Sequence, residues 1–525
     1  MPLLRAPLCT LLILNLFGVV STSLAQQASS DTPTIRVTSR LVFLDVTVVD
    51  KKGRPVVKGL TEDDFTITED KTPQRIFSFE APDTHVIGAN ATVDDRSGKA
   101  PLTIFVLDLL NSSFEDFGYI RFMVHKYLAA QPAQLTSPAE IMVLGNKSLE
   151  MVQGYTRSRA DLLYALDHIP PAIPYKKMNG FIEEQFTQSI DALQEIALQN
   201  QGVPGRKNIL WVGRGGPSIS SLQVLPGYLD ELNEYVHYTT NTLVNSRASL
   251  FVIYPGLKTT SPVGTGSIVA AGTEIGDDDP FSGDINFGIF VNETGGKLFY
   301  NRNDVNTEIK ESEELGSEYY TLTYSPPEGN VDGKFRRIRV TLRNPNLRVV
   351  TKAGYFAMDK EAAVGHRPQA LINIAEAVKS TIPFEALKVT IEDIVRHPDA
   401  GTVEFTVVLN PQNLDWRPAG EHSTVDFLLA AASLNKDRDF LATRVQDLTV
   451  VADNQDPVQL AKTGARQSIT IQIPRKTQTV RVVIETSANG RAGAVELNRA
   501  SIDAAPQTPT PEPKLLSHPQ KQPPS

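Results

Sequence analysis

The residues of this sequence best suited to hold a ligand follow one apolar run. Leu102-Thr103-Ile104-Phe105-Val106-Leu107 ends at Asp108, and Asn111, Ser112 and Ser113 come soon after it. A carboxylate followed by amide and hydroxyl groups makes a loop rich in hydrogen-bonding atoms. An apolar run without alternation suits a strand buried on both faces, as in a parallel sheet covered by helices. Such sheets carry their ligand sites at the carboxyl ends of the strands, where Asp108 would sit. A second buried-strand pattern, Lys207 to Val212, stops at Gly213-Arg214-Gly215-Gly216 and brings Arg214 to the same end.

Other constellations lead nowhere chemical. Asp277-Asp278-Asp279 with Asp284 has the composition of a Ca²⁺ loop but not the Asp-x-Asp-x-Asp-Gly spacing, and reads as a solvated acidic loop. The glycines around Arg214 match neither a phosphate loop nor a dinucleotide fingerprint and read as a tight turn. Neither a Gly-x-Ser-x-Gly elbow nor a His-Glu-x-x-His zinc motif is present. No catalytic set emerges, so the chain is expected not to be an enzyme.

The elements that must position Asp108 alternate between strand and helix from residue 101 to 316. Phe114 to Ala130 carries Phe117, Ile120, Val124 and Leu128 on one helical face, and Glu183 to Asn200 carries Phe186, Ile190, Leu193 and Ala197 on another. Strands lie at Glu140–Leu144, Lys207–Val212, Ser249–Tyr254 and Lys297–Tyr300, giving an α/β, doubly wound, mainly parallel sheet. Residues 257–287 form a long Gly/Ser/Asp loop of the kind a compact domain keeps for function or leaves disordered.

Around this unit the pattern is β-rich. Residues 34–82 read as an N-terminal β-domain and 83–100 as a polar linker. Tyr319–Tyr324 and Phe335–Leu342 read as a hairpin within an extension spanning 317–357. Residues 358–384 read as a helical linker, 385–500 as a C-terminal β-sandwich, and 501–525 as a disordered Pro-rich tail.

At 525 residues the chain is too long for one core. Its net charge of −9, without a long basic run, argues against nucleic acid as a partner. Residues 1–25 read as a secretory signal peptide: Arg5, an apolar core from Leu8 to Val20, then Ser23-Leu24-Ala25 before the cut. The sole cysteine, Cys9, falls inside that leader, so the mature chain would hold no disulfide and no cysteine metal site. No later apolar run is long enough to cross a membrane.

Residues 101–316 resemble a von Willebrand factor A-type domain. The flanks sharpen the match. Val46-Thr47-Val48-Val49-Asp50-Lys51-Lys52-Gly53-Arg54-Pro55-Val56 and Leu60-Thr61-Glu62-Asp63-Asp64-Phe65 resemble the opening of an acidobacterial family related to that domain. Thr294-Gly295-Gly296, Tyr319 to Tyr324, Asp332 to Ile338 and Lys352-Ala353-Gly354-Tyr355 resemble its far end. The resemblance spans roughly residues 34–357, about two thirds of the chain.

It implies a secreted, periplasmic or envelope protein that binds another protein. Domains of this type often do so through Mg²⁺ held by an Asp-x-Ser-x-Ser loop, a threonine from a second loop and an aspartate after the fourth strand. Here Asp108 and Ser112 match the loop, as the metal ligands of a degenerate site, while Leu110 stands where the first serine belongs. Thr187 is the candidate threonine, if there is one, and Arg214 lies near the position of the missing aspartate. A guanidinium there would repel Mg²⁺ and could instead pair with Asp108, or Asp108 caps the next helix. The expected cofactor is therefore none, with Mg²⁺ as the exception the resemblance allows.

The expected role is binding a macromolecular partner, a protein, through Asp108, Asn111, Ser112, Ser113, Arg214 and the long loop. Two alternatives stand beside it: a structural scaffold of an envelope assembly whose site is sealed, and a hydrolase using the long loop as a lid.

Overall fold

The structure, a computed structural model, describes residues 41–86, 100–169, 182–219, 226–255, 285–302, 304–326, 332–357, 363–364, 367–410, 414, 416–420, 422–453 and 465–508. The expected leader, most of the linker 83–100, most of the 257–287 loop with its four aspartates, and the tail from 509 onward lie outside them.

The described chain opens with β1 (Val42–Val49), β2 (Phe65–Glu69), β3 (Thr72–Gln74) and β4 (Ile76–Glu80). The α/β unit follows as β5 (Leu102–Asp108), α1 (Phe114–Ala129), β6 (Gln134–Leu144), β7 (Leu149–Ser158) and α2 (Arg159–Asp167). It continues through α3 (Ile182–Gln199), β8 (Lys207–Val212), α4 (Pro226–Asn245), β9 (Ala248–Pro255), α5 (Gly288–Glu293), β10 (Leu298–Arg302) and α6 (Val305–Ser317).

These six strands form one sheet in the order β10-β9-β8-β5-β6-β7, parallel except for the edge strand β7. Every residue of β5 is buried, as the unbroken apolar run requires. Ile104 and Val106 share a core with Phe186, Ile190 and Leu193 of α3; Phe105 and Leu107 share the opposite one with Ile120, Val124 and Leu128 of α1. Successive side chains point to opposite faces, so a strand covered on both has no polar position to alternate with. Asp108 ends this central strand, beside Leu144 of β6.

Beyond α6 the chain returns to its first β layer through β11 (Tyr320–Tyr324), β12 (Phe335–Leu342), β13 (Arg348–Val350) and β14 (Gly354–Phe356). β11 lies between β1 and β4, and β12 between β2 and β14, in two sheets ordered β13-β1-β11-β4 and β14-β12-β2-β3. The hairpin expected from 319–342 is therefore not formed. The stretches 34–82 and 317–357, expected as separate pieces, interleave strand by strand over a shared core of Leu44, Val46, Ile67, Leu322 and Val340. An alternating pattern states which face is apolar; it does not state which strand lies alongside.

β15 (Ala363–Val364) and β16 (Arg367–Pro368) lead into α7 (Gln369–Lys379). The expected linker 358–384 carries in α7 a packing element: Ile374, Ala377 and Val378 join the core on the α3 side of the central sheet. The C-terminal strands are β17 (Val389–His397), β18 (Thr402–Leu409), β19 (Arg417–Ala419), β20 (His422–Leu434), β21 (Phe440–Asp453), β22 (Ala465–Gln472), β23 (Thr479–Thr486) and β24 (Ala492–Asn498), followed by α8 (Arg499–Ala504).

Two antiparallel sheets, β17-β18-β22 and β19-β20-β23-β24 with β21 against β20, contribute Phe405, Ile469, Leu429 and Val482 to a common core. The other face of β20 and β23, with Ala430, Ala432 and Val483, packs on the α7 side. The carbonyls that end α7 are met from the C-terminal strands. Arg481 donates to Ala377 O (3.1 Å), Arg438 donates to Val378 O (3.2 Å), and both guanidinium groups also bind Glu496. Cations at a helix C-terminus are favoured by the exposed carbonyl dipoles.

Candidate functional site

Asp108 has no exposure to solvent. Its Oδ1 accepts from the Asn111 backbone N–H (2.9 Å) and side-chain amide (3.1 Å). Its Oδ2 accepts from the Trp211 indole N–H (3.0 Å), the Gly215 backbone N–H (2.9 Å) and again the Asn111 amide (3.2 Å). Burial pushes the carboxyl up from its ordinary value, and the N–H groups of Trp211, Asn111 and Gly215 pull it back. The side chain works as a hub: it ties the loop after β5 to the last turn of β8 and to the glycine loop beyond.

The glycines make this contact possible. At Gly213, where φ is +150°, a Cβ would stand 2.4 Å from Asp108 Cβ. At Gly215, where φ is +76°, it would stand 2.6 Å from the Phe287 ring. Phe287 in turn packs against Trp211, ring centroids 4.8 Å apart. No side chain, acidic or otherwise, fits at 213 beside Asp108 without the backbone moving.

Asn111 extends the network, donating through its amide to Ser189 Oγ (3.0 Å) on α3, which itself donates to Gln185 O (2.8 Å). Ser189, which sequence reasoning missed, is thus the hydroxyl that α3 brings to the site. Thr187, the residue the spacing offered, instead has its hydroxyl against Tyr228. Leu110 is buried in the core that holds Phe186. Ser113 caps α1, its hydroxyl accepting from Asp116 N–H at 3.1 Å. Ser112 is 5% exposed, and among the described residues neither its Oγ nor Asn111 Oδ1 has a hydrogen-bond partner.

Arg214 does not pair with Asp108. Its side chain is exposed and its guanidinium carbon lies 5.6 Å from the centre of the Tyr254 ring, at the end of β9. The physical reason is direction: the turn after Val212 aims the Gly215 N–H, not the arginine, at the carboxylate, and Trp211 already fills the space beside it. The compensation expected of a guanidinium comes from neutral N–H dipoles.

This arrangement does not fit Mg²⁺. A divalent cation needs free oxygen lone pairs at about 2.1 Å in an octahedral set. Both oxygens of Asp108 are directed at N–H donors, and position 213 has no room for a second carboxylate. Among the described residues no group of three or more His, Cys, Asp or Glu side chains is placed to hold a metal.

No protein-family model and no curated relative matches the chain. Solved structures show distant likenesses. The conserved hypothetical protein BatB from Bacteroides thetaiotaomicron is 15% identical, covering 41% of this chain and 97% of its own, with a TM-score of 0.26. The SpRpn10 VWA domain is 15% identical over 30% of this chain and 76% of its own, with a TM-score of 0.18. The pilus adhesin SpaC from Lactobacillus rhamnosus GG is 8% identical over 82% of this chain and 58% of its own, with a TM-score of 0.24. At these scores none of them bears on what this chain does.

Proposed function

We propose that this chain is a secreted or envelope-associated protein whose von Willebrand factor A-type unit binds a protein partner without a metal ion and without catalysis. The observation that carries the reading is the saturated, fully buried Asp108 carboxylate. A carboxylate held this way has no lone pair to offer a cation or a reacting proton, yet it fixes the loops that bear Ser112, Ser113 and the exposed Arg214. Partner binding needs only such a preformed rim.

The same seal favours one alternative, a scaffold whose top face meets nothing. A photo-reactive residue placed at position 214 of the full chain, in its native cells, separates the two. The binding reading expects a discrete protein adduct at 214 that is not formed from position 122, an exposed site on α1. No adduct at 214, or the same adducts from both positions, favours the scaffold.

A further inference from the structure

The C-terminal β region is closed at one edge by the chain itself. β17 is the outer strand of the sheet β17-β18-β22, and among the described residues no strand pairs along most of its far side. Past α8 the chain turns back along that edge. The Arg396 N–H donates to Pro506 O (2.8 Å), the Thr508 N–H donates to Arg396 O (3.0 Å), and Gln507 pairs with Arg396 in parallel. The segment expected as the start of a disordered tail, 501–508, is thus the end of a helix followed by a short strand-like addition bridged at Gln507. Its root is fixed by Ile502, which is fully buried, and by Arg396 Nη1 to Asp503 Oδ1 at 3.1 Å.

Next to this added strand lies His397, 3% exposed. Its Nδ1 is 3.0 Å from Thr508 O and its Nε2 is 3.2 Å from Glu404 Oε2. Thr508 Oγ1 lies farther from Nδ1, at 3.4 Å. The carbonyl oxygen can only accept, and the Glu404 carboxylate already accepts from Ser468 Oγ on its other oxygen at 2.9 Å. A ring that faces acceptors on both sides satisfies them only by donating from both nitrogens, which is the imidazolium form. Among the described residues, the other charged groups of this corner include Arg396 and Arg499, both bound to Asp503, and the exposed Asp399.

We propose that residues 506–508 are a strap over the edge of β17, locked by protonated His397 and released when that ring loses its proton. Deprotonation turns one nitrogen into a lone pair aimed at an oxygen lone pair, on a ring that is itself buried. The strap then loses its tie, and the N–H and C=O of Arg396 become an open edge of the kind that accepts an added strand.

Hydrogen exchange of the full chain tests this, read as protection factors after correction for intrinsic rates, together with NMR of ¹³C-labelled histidine. Peptides covering 395–397 and 505–508 should lose tenfold or more in protection between pH 5.5 and 8.5, with the midpoint of the His397 ring titration, while the interior of β18 keeps its own. His397→Gln should hold the strap peptides at the low level at every pH. Glu404→Gln, which leaves the ring in place, should move the midpoint to lower pH. Protection independent of pH, a ring already neutral at pH 5.5, or a midpoint unmoved by Glu404→Gln overturns the proposal. The wild-type profile and Glu404→Gln decide it even if His397→Gln does not fold.

Discussion

Trp211 donates its indole N–H to the Asp108 carboxylate across 3.0 Å, and neither side chain has any exposure to solvent. The bond joins the carboxyl ends of two neighbouring parallel strands, β5 and β8. It makes the aspartate an internal tie, held by an indole where the sequence offered Arg214, a helix cap or a degenerate metal site.

Replacing that tie should therefore cost stability and leave metal response untouched. Asp108→Ala strands the Asn111, Trp211 and Gly215 donors, each at about 1–3 kcal/mol when left unmade in the interior. We expect a loss of about 3 kcal/mol or more, and a smaller one, about 1–2 kcal/mol, for Trp211→Phe, which removes one donor. Thermal unfolding in EDTA and in millimolar Mg²⁺ or Mn²⁺ should give the same midpoint for wild type. A midpoint raised by either cation, and not raised in Asp108→Ala, would sink the metal-free reading.

Gly213→Asp is the substitution that would rebuild an acidic site on paper. Its Cβ would meet Asp108 at 2.4 Å, at φ +150°. The variant should lose about 2 kcal/mol or more from backbone strain and the clash together, and calorimetry should find no Mg²⁺ binding. Binding in the micromolar range would show that the loop can open where we expect it to hold.

The joint between α3, α7 and β23 should respond to pH. Glu485 is 7% exposed, and burial pushes it up to about 8 from 4.5; Glu195 on α3 is raised to about 7 by burial, and Asp191 to about 6 by burial. An acid with a raised value in the folded chain holds its proton longer there than when unfolded. The stability it contributes is full below about pH 4.5 and falls as pH rises toward about 8. For Glu485 the loss should be on the order of a few kcal/mol. Urea midpoints at pH 5.5 and 8.5 should differ for wild type, and Glu485→Gln should shrink the difference. An equal difference in both would assign the pH response elsewhere.

Arg481 and Arg438 should hold the end of α7. Arg438→Ala removes donors to Val378 O and Lys379 O, and should cost about 1–2 kcal/mol. Arg481→Ala, at a site 3% exposed, also strands Ala377 O, Ile382 O and part of Glu496, and should cost more. Hydrogen exchange should rise first in residues 374–380 in both variants. Faster exchange confined to β23 would mean that the arginines serve their own sheet and not the helix.

The central sheet was legible because burial on both faces leaves an unmistakable mark: Leu102 to Leu107 has no polar position outside Thr103. The stripe of α3 was legible for the same reason, its apolar residues returning every three or four positions. What the pattern withheld was partnership. Tyr320 to Tyr324 and Phe335 to Leu342 alternate as a hairpin would, yet the first lies between two strands from the start of the sequence and the second lies beside another of them.

At the site, Asp108 was visible as a carboxylate at a strand end, but the groups that bind it were not. Trp211 reads as core by composition. Its register with Asp108 could have been found from the shared parity of Ile104-Val106-Asp108 and Ile209-Trp211 on one face of adjacent strands. Gly213 and Gly215 read as a turn, and only their positions against Asp108 and Phe287 show which side chains they exclude.

The interleaving of the first and later β strands has a consequence for how the protein is made. Ser78 and Thr323, whose hydroxyls lie 2.6 Å apart, are separated by 245 residues. A ribosome or export channel delivering the N-terminus first releases β1 to β4 long before β11 and β12 exist to cover them. The strands of the central sheet can pair with one another in that interval, while the earlier strands wait with bare edges and an apolar face. Synthesis thus passes through a stage in which the central sheet precedes the closing of the first β layer, and that closure bridges a long loop slowly. A holding chaperone in the compartment where the chain folds would act on residues 41–86 and during that stage, and its demand would end once residue 356 has emerged.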